Sequence, residues 1–296
     1  MTSVCTARNG PAADPSGPRE NPTFSREGSE LLTQIETVCS HAGFALGPER
    51  HHTTAVSTQG HRRVEVGILE VRGEDAPTWL QGQVTADVLG AKSPLYTLLL
   101  SPNGRVISDG WIVPIDDESL DFIVPAHAAD AALERLERYL VMEDVELTLR
   151  HAEMYQRLGH PPEAEPHGAR WDEATWERAR IEAGIPQHGR DFGADTLPQE
   201  AGLERAISFG KGCYIGQEPV VMLQHRGQPP RRLVRARVRG TPELPAPVLS
   251  EGSVVGSLTS AAGDLGLALI KRKRLDGDLR VGDQPLEVLA ILGHED

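Results

Sequence analysis

The sequence predicts an α+β protein in two parts, a sheet-and-helix domain of split-βαβ type followed by a small C-terminal barrel or sandwich. Between residues 64 and 149, segments with strand and helix patterns alternate in the order βα-βββ-αβ. From residue 232 onward the chain carries short β-rich runs separated by glycine and proline. Gln228-Pro229-Pro230 lies between the part with alternating strands and helices and the part with short β-rich runs. We therefore predict domains over 28–228 and 229–296.

The first domain is predicted element by element. A strand over 64–71 precedes a helix that begins near Asp75, a residue type that caps helices, with Pro77 in the first turn. Asn103-Gly104 lies between two apolar runs in 94–114 and predicts a hairpin with a primed turn. The remaining predicted elements are a strand over 120–125, a helix over 127–140, a strand over 145–149, a loop over 152–172 and a helix over 171–184.

The N-terminal region differs in composition from the rest of the chain. Residues 1–27 are rich in Pro, Gly, Ser and charge, so we predict a disordered tail. An amphipathic helix is predicted over 31–46. His51, His52 and His61 are interpreted as scattered histidines of a polar loop rather than as metal ligands.

Bulk properties exclude several classes of protein. The 296 residues carry a formal net charge of −13, which argues against generic electrostatic binding to nucleic acid or anionic membrane. The cysteines, Cys5, Cys39 and Cys213, form no disulfide pattern and no CxxC spacing, which argues against a resident zinc or iron–sulfur site. The sequence has no membrane-spanning apolar run and no secretory signal pattern, so a cytoplasmic location is predicted.

The stretch with most chemistry is GKGCYIGQEP at 210–219. Lys211 precedes Cys213 by two residues, and a neighbouring ammonium or helix N-terminus lowers the pKa of a thiol. Pro219 suits the first turn of a helix over 218–225. A reactive thiol and a structural turn with an inert, buried cysteine are both consistent with this pattern.

This stretch resembles the signature of the YgfZ family of folate-binding proteins, relatives of the aminomethyltransferase (T-protein) of the glycine cleavage system. The motif residues are Lys211, Gly212, Cys213, Tyr214, Gly216, Gln217 and Glu218. Further blocks resemble the family in family order: WLQGQVTADV (79–88), LLLSPNGRVISDGWIV (98–113), RIEAGIPQHGRDF (180–192), LPQEAGLERAISFGKGCYIGQE (197–218), LTSAAG (258–263) and GLALIKR (266–272).

The resemblance implies two ferredoxin-like subdomains that form a folate-binding domain, followed by a C-terminal β-barrel. It implies tetrahydrofolate as the cofactor and a role in assembly or repair of iron–sulfur enzymes, some of which modify tRNA. In the family, the motif cysteine is the residue most closely tied to that activity, and the resemblance implies the same role for Cys213. Trp176 matches a position that stacks on folate, while Val66 stands where the family has another aromatic residue.

The residues themselves add to the folate expectation. Trp176 offers a flat ring, and Arg180 lies one helical turn further on, with Glu182 nearby. A carboxylate can accept the N–H groups of a pterin, and an arginine can bind a glutamate tail; core packing and a solvated ion pair are the alternatives. Several arginines cluster at the start of the C-terminal part and are interpreted as a solvated strand face rather than as an RNA site. They are Arg226, Arg231, Arg232, Arg235, Arg237 and Arg239.

The residues and the resemblance leave two candidate functions. The first of them implies iron–sulfur client or assembly proteins as partners. One is a folate-dependent accessory factor of iron–sulfur protein maturation, and the other is an aminomethyl- or methyltransferase. Aminomethyl transfer needs a carboxylate that steers protons. In the T-protein this carboxylate is the first of two aspartates, and Ser108-Asp109 stands there in this chain. Because Asp109 would point to the other strand face, we favour the accessory factor.

Overall fold

The computed structural model describes residues 60–240 and 242–293. The predicted tail over 1–27, the predicted helix over 31–46 and the residues Cys5, Cys39, His51 and His52 lie outside the described residues.

A twisted sheet organises the first domain. Its strands are β1 (Gly60–Arg72), β2 (Leu95–Leu100), β3 (Val106–Asp116), β4 (Ser119–Pro125), β5 (Glu146–Arg157) and the short β6 (Ala169–Arg170). They lie in the order β2-β3-β4-β1-β5, all antiparallel, and β6 pairs parallel to the start of β1. The order β3-β4-β1-β5 is the predicted split-βαβ arrangement, extended at one edge by β2.

Two helices cover one face of this sheet. They are α1 (Ala76–Gln81) and α2 (Ala129–Glu137). Trp79 and Leu80 of α1 and Ala132 and Leu136 of α2 pack with buried sheet residues such as Phe122 in one apolar cluster. The amphipathic pattern over 127–140 places these apolar side chains on one side of α2, and their burial holds the helices on the sheet.

The other face of the sheet meets the second half of the domain. This half contains α3 (Glu173–Glu182), turns at Pro198–Glu200 and Glu204–Ala206, and α4 (Gln217–Arg226). Leu98 and Leu100 of β2 pack there against Phe192, Tyr214 and other apolar residues in a cluster that we call the interior cluster. The resemblance implies a second ferredoxin-like subdomain, but within the described residues this segment forms no sheet of its own.

The C-terminal part is a closed six-stranded barrel. Its strands are β7 (Arg231–Val238), β8 (Ala246–Ser250), β9 (Ser253–Ala262), β10 (Leu265–Lys271), β11 (Leu279–Val281) and β12 (Gln284–Ile291). They close in the order β10-β7-β12-β11-β8-β9. The predicted domain boundary at residue 229 falls between the end of α4 and the start of β7.

Charged groups join the barrel to the first domain. Arg231 donates to the buried carboxylate of Glu200 at 2.8 Å, and Arg232 donates to Glu204 at 3.0 Å. Arg235 donates to the backbone carbonyl of Glu182. The interpretation of the arginine strand as a solvated outer face is therefore wrong for these three residues, since they are half-buried contacts between domains.

The structure corrects three further local predictions. β5 continues to Arg157, so the predicted loop over 152–172 begins later than expected. His61 lies in β1 and is buried against Tyr155 rather than in a polar loop. The hairpin after β2 exists, but its turn is not of the primed type: Gly104 alone has a positive φ, 73°, and the Gly104 N–H bonds the Ser101 carbonyl, as in a three-residue loop with a bulge.

Candidate functional site

Residues 207–216 form a loop that carries the first part of the motif, and we call it the motif loop. It lies between the turn at Glu204–Ala206 and α4, and it presents Cys213 to solvent. The helix begins at Gln217, close to the prediction from Pro219, and Gly216 precedes it with a φ of 83°. The Gln217 side-chain oxygen accepts the Tyr214 N–H at 3.1 Å, which closes the loop immediately before the helix. The interpretation of Cys213 as a buried cysteine is therefore wrong, and the reactivity of its thiol stays a prediction.

Gly216 is required because the β2–β3 hairpin tip touches it. A Cβ at Gly216 would lie 2.3 Å from the carbonyl oxygen of Ser101 and 2.9 Å from the Cβ of Leu100. The positive φ and this backbone contact both demand glycine. The hairpin from one matched block thus supports the loop from another.

Lys211 fastens the motif loop to the end of α1. Its ammonium donates to the carbonyl oxygens of Gln81 at 2.7 Å, Val84 at 2.8 Å and Ala86 at 2.6 Å. Burial lowers the pKa of Lys211 to about 8, and the nearby negative charge of Asp87 opposes that change. The prediction that this ammonium serves the Cys213 thiol is not supported, since its three donors are directed at backbone oxygens.

Further hydrogen bonds hold the motif loop against the segment that follows α1. The N–H of Ile215 donates to the Gly82 carbonyl at 3.1 Å, and the N–H of Ser208 donates to the Thr85 carbonyl at 3.0 Å. The Thr85 hydroxyl donates to the carbonyl of Ala206 at 2.6 Å. The segment that carries Cys213 is therefore held from both ends, although Gly210 and Gly212 have open space around them.

Cys213 opens onto a groove of about 610 Å³, which we call the Cys213 groove. Its wall is one face of α4, since the lining residues of that helix recur at intervals of three and four. The lining residues are Cys213, Tyr214, Gln217, Glu218, Val221, Met222 and His225. Met222 is 55% exposed, which is unusual for a large apolar side chain and is typical of a contact surface.

Tyr214 connects the groove with the interior cluster. Its ring packs in that cluster, and burial raises the pKa of the phenol to about 12. The buried hydroxyl has no hydrogen-bond partner among the residues that the structure describes. The Nζ of Lys211 lies 5.4 Å from the ring centroid, so the ammonium also contacts the ring face.

The predicted folate residues of α3 do not form one open pocket. Trp176 is only 2% exposed, and the guanidinium carbon of Arg62 lies 4.3 Å from its ring centroid. Trp171 approaches the ring edge-on, with centroids 6.3 Å apart. In this structure the ring of Trp176 therefore has no free face, and its stacking on folate stays a prediction that requires Arg62 to move. Val66 is a residue of β1 and is buried in an apolar cluster with Ile68 and Met154.

Arg180 and Glu182 serve structural contacts in this structure. The Arg180 guanidinium donates twice to Glu177, at 2.7 and 2.9 Å, and once to Asp191 at 2.8 Å. It also donates to the hydroxyl of Ser260 in the barrel at 2.6 Å. Glu182 accepts from Arg178 at 2.6 Å. Their role in binding a folate stays a prediction.

Ser108 and Asp109 point to opposite faces of β3, as their alternation predicts. Ser108 is fully buried and pairs with Leu99, on the face covered by α1 and α2. Asp109 pairs with Leu98 on the face of the interior cluster, and it accepts the Tyr96 hydroxyl at 2.7 Å. The carboxylate of Asp109 therefore lies on the side of the interior cluster, and the expectation that it does not serve aminomethyl transfer stays a prediction.

A pair of histidines that the sequence did not single out lies near Asp109. The ring nitrogens His127 Nε2 and His188 Nδ1 are 3.0 Å apart, and the rings stack with centroids 5.2 Å apart. His188 also contacts Phe192 of the interior cluster edge-on. Burial lowers the pKa of His188, the nearby charge of Asp109 raises it, and His127 lowers it further. His188 lies in the matched block 180–192, but the block alone does not mark it as a site residue, and His127 lies in none of the matched blocks.

The described residues contain no cluster of metal ligands and no helix that could cross a membrane. Within residues 60–240 and 242–293, no group of three or more His, Cys, Asp or Glu side chains is arranged to hold a metal ion. No helix in these ranges is long and apolar enough to cross a membrane. The predicted cytoplasmic location stays a prediction.

Comparisons with known proteins indicate a similarity to the same kind of protein that the motif at 210–219 resembles. Residues 231–290 match the family described as the CAF17 C-terminal beta-barrel domain. An uncharacterized protein of Haemophilus influenzae is 29% identical over 248 residues, which cover 71% of this chain and 88% of that protein. The mitochondrial iron-sulfur cluster assembly factor IBA57 of Mus musculus is 30% identical over 142 residues, 44% of this chain and 39% of that protein. In sequence the chain is similar to YgfZ/IBA57-type proteins.

A solved structure has the same arrangement of a sheet-and-helix domain and a barrel. The glycine cleavage system aminomethyltransferase T of Bartonella henselae superposes with a TM-score of 0.67 at 16% identity, over 89% of each chain. The chain therefore has the fold of the T-protein, with a sheet-and-helix domain and a closed barrel. Three of the matched sequence blocks meet at one place in this fold, where the end of α1, the β2–β3 hairpin and the Cys213 loop touch.

Proposed function

We propose that this chain is a tetrahydrofolate-binding accessory protein of iron–sulfur cluster assembly or repair, and that Cys213 is its functional thiol. The observation that carries the proposal is the exposed Cys213, presented on a loop that Lys211 and Gly216 fix in place. The names of the IBA57 relatives give the process in which such a thiol would act. The clients that we propose include enzymes that modify tRNA, on the ground of the YgfZ resemblance alone.

The residues around the interior cluster fit a reduced folate. Among the buried polar atoms without a partner within the described residues, four lie in or beside the interior cluster: Asp109 Oδ1, His188 Nε2, Gln199 Oε1 and Tyr214 Oη. Each belongs to a residue that is in the interior cluster or bonds or stacks on one of its members. Buried polar atoms without partners indicate a missing water or ligand. Oxygens that accept N–H groups, next to the rings of Tyr96 and Phe192, suit a pterin, and a bound folate would supply a one-carbon carrier.

The position of Cys213 indicates what the thiol would meet. A folate one-carbon unit, a sulfur species and a partner protein are the candidates. The thiol opens outward onto the Cys213 groove, whose wall includes the exposed Met222, while the unpartnered polar atoms lie inside the domain. Exposed apolar surface beside a reactive group suits a protein partner. We therefore favour a client or assembly protein as the partner of the thiol.

An aminomethyl- or methyltransferase is the second candidate, and one observation favours it. Asp109 offers an interior carboxylate with one unpartnered oxygen, although Ser108 stands where the T-protein has its catalytic aspartate. The assay is formation of methylene-tetrahydrofolate and ammonia from an aminomethylated carrier protein. Under the accessory function we expect no turnover above background. Turnover that Asp109→Asn abolishes would support the transferase instead.

The proposed function is tested by reactivating an iron–sulfur enzyme that has lost its cluster. The apo-enzyme is incubated anaerobically with ferrous iron, a sulfide source, 5-formyltetrahydrofolate and the purified chain, and the recovery of enzyme activity is followed. We expect the wild-type chain to accelerate recovery and Cys213→Ala to have no effect. Equal acceleration by both chains would contradict the role of the thiol. The chain itself should contain no stoichiometric iron or sulfide, as its cysteine spacing predicts.

A further inference from the structure

The tip of the β2–β3 hairpin lies directly against the residues that join the motif loop to α4. A Cβ at Gly104 would lie 3.1 Å from the carbonyl oxygen of Gly216 and 3.2 Å from Cγ of Pro219. A Cβ at Gly216 would lie 2.3 Å from the carbonyl oxygen of Ser101. Close-packed contacts of this kind, most of them with backbone atoms, transmit any displacement. The position of the hairpin tip therefore fixes the position of Gly216, which follows Cys213 closely in the chain.

The hairpin tip is in turn bonded to the segment 195–200. The guanidinium of Arg105, the residue that follows the tip, donates to the Glu200 carboxylate at 3.2 Å. The N–H of Val106 donates to the Thr196 carbonyl at 3.0 Å. The tip is therefore anchored outside its own strands, by a segment that is distant in sequence.

The same segment also bonds to α4 and to the barrel. The side-chain amide of Gln199 donates to the carbonyl of Val220 in α4 at 2.8 Å. From the barrel, Arg232 donates to the backbone carbonyl of Gln199 at 3.0 Å. Arg231 donates twice to the Glu200 carboxylate, at 2.8 and 3.0 Å. Both the hairpin tip and α4, which support the motif loop, are therefore bonded to two adjacent residues.

The negative charge of Glu200 brings two guanidinium groups together at this place. Glu200 is fully buried, and its carboxylate accepts from Arg105, from Arg231 and from the Leu197 N–H, the last at 2.9 Å. The backbone carbonyl of Asp195 also accepts from both guanidinium groups, at 2.8 and 2.7 Å, so the two arginines approach the same atom. Without the charge of the carboxylate, two positive groups would face each other in a half-buried place and repel.

We propose that Glu200 is a positioning residue for Cys213. Its charge keeps Arg105 and the hairpin tip in place, and the tip supports Gly216 and the start of α4, so that the thiol is presented in one position. Gln199 contributes through its separate bond to α4. The inference rests on the proposed function, because a fixed thiol matters when Cys213 is the functional group. It gives a role to two residues of the block 197–218 that lie outside the motif.

The test measures the position of Cys213 directly and needs neither a client enzyme nor a folate. Nitroxide labels are attached to Cys213 and to the cysteine introduced by Glu137→Cys, an exposed position of α2, in a full chain that also carries Cys5→Ser and Cys39→Ser. Pulsed electron double resonance gives the distribution of distances between the two labels. We expect one narrow distribution in this parent chain and a broader one in both Glu200→Gln and Arg105→Met.

Arg72→Met is the matched control for lost stability. Arg72 pairs with the buried Asp121 within the sheet and bonds to neither the hairpin tip nor the segment 195–200. Urea unfolding should show that Arg72→Met and Glu200→Gln are both less stable than the parent chain, while the label distances of Arg72→Met stay narrow. A merely structural role of Glu200 predicts lower stability with the distance distribution of the parent.

The inference is wrong if either Glu200→Gln or Arg105→Met keeps the parent distribution, because Glu200 acts on the tip through Arg105. It is also wrong if Arg72→Met broadens the distribution equally, since the change would then report general loosening. Circular dichroism establishes that each variant is folded, and if Glu200→Gln is not, Arg105→Met decides, because the Arg105 side chain is 38% exposed. Equal reactivation of the client by Cys213→Ala would contradict the proposed function and leave the positioning of the loop in place.

Discussion

Replacing Lys211 with methionine tests the claim that this residue fixes the Cys213 loop. Methionine replaces the apolar stem of the side chain with one of similar shape and removes the ammonium. The carbonyl oxygens of Gln81, Val84 and Ala86 would then lose a donor that lies 2.6–2.8 Å away in the wild type. The motif loop and the end of α1 would lose their main side-chain contact.

The size of the effect follows from the three hydrogen bonds. Bonds to a charged donor contribute about 1.5–3 kcal/mol each, or about 4.5–9 kcal/mol for three. The cost of keeping the ammonium half-buried offsets a large part of this sum. We therefore expect Lys211→Met to lower the free energy of unfolding by about 3 kcal/mol. Lys211→Arg should recover only part of it, because a planar guanidinium cannot direct three donors at one converging set of carbonyls.

Urea unfolding combined with amide hydrogen exchange measures both the global and the local effect. The amides of Ile215 and Ser208, which donate to the segment after α1, should exchange faster in Lys211→Met. Lys273→Met, an exposed lysine of the barrel, is the control and should change neither quantity. A Lys211→Met chain with wild-type stability and unchanged exchange at both amides would refute the fastening role.

Three further predictions follow from single contacts. Between pH 8 and 10.5 the unfolded chain keeps the Lys211 proton that the folded chain has released, so wild-type stability should rise with pH relative to Lys211→Met in urea titrations. Tyr214→Phe removes a buried hydroxyl without a partner and should stabilise the chain by about 1 kcal/mol; a destabilised variant would indicate that water or a ligand occupies that hydroxyl. Arg180→Met leaves Asp191 buried without its counter-ion and Glu177 with Arg190 alone, so thermal unfolding should show a loss of about 3–5 kcal/mol, and an unchanged midpoint would contradict that.

Periodicity and turn residues predicted most of the framework. The order of β1 to β5 and the position of the hairpin follow from apolar alternation and from Asn103-Gly104, which are local signals. The continuation of β5 to Arg157 was missed because its last half is polar and is recognised only through pairing with β1. The turn type was wrong since only Gly104, and not Asn103, adopts a positive φ.

The site was predicted less completely because its contacts are distant in sequence. The exposure of Cys213 and the glycine at 216 agree with a functional loop. The target of Lys211 could not be inferred, because Gln81, Val84 and Ala86 lie about 125–130 residues earlier in the chain. The burial of Trp176 depends on Arg62, which lies on another element. A tryptophan on a helix looks the same in sequence whether it stacks on a ligand or packs in the core.

The most direct measurement is the activity of an iron–sulfur enzyme in cells that lack their own protein of this type. The cells receive, at equal expression, the wild-type chain, Cys213→Ser or the control Cys39→Ala. We predict that wild type and Cys39→Ala restore the activity and that Cys213→Ser does not. Restoration by Cys213→Ser to the wild-type level would contradict the assignment of Cys213 as the functional thiol.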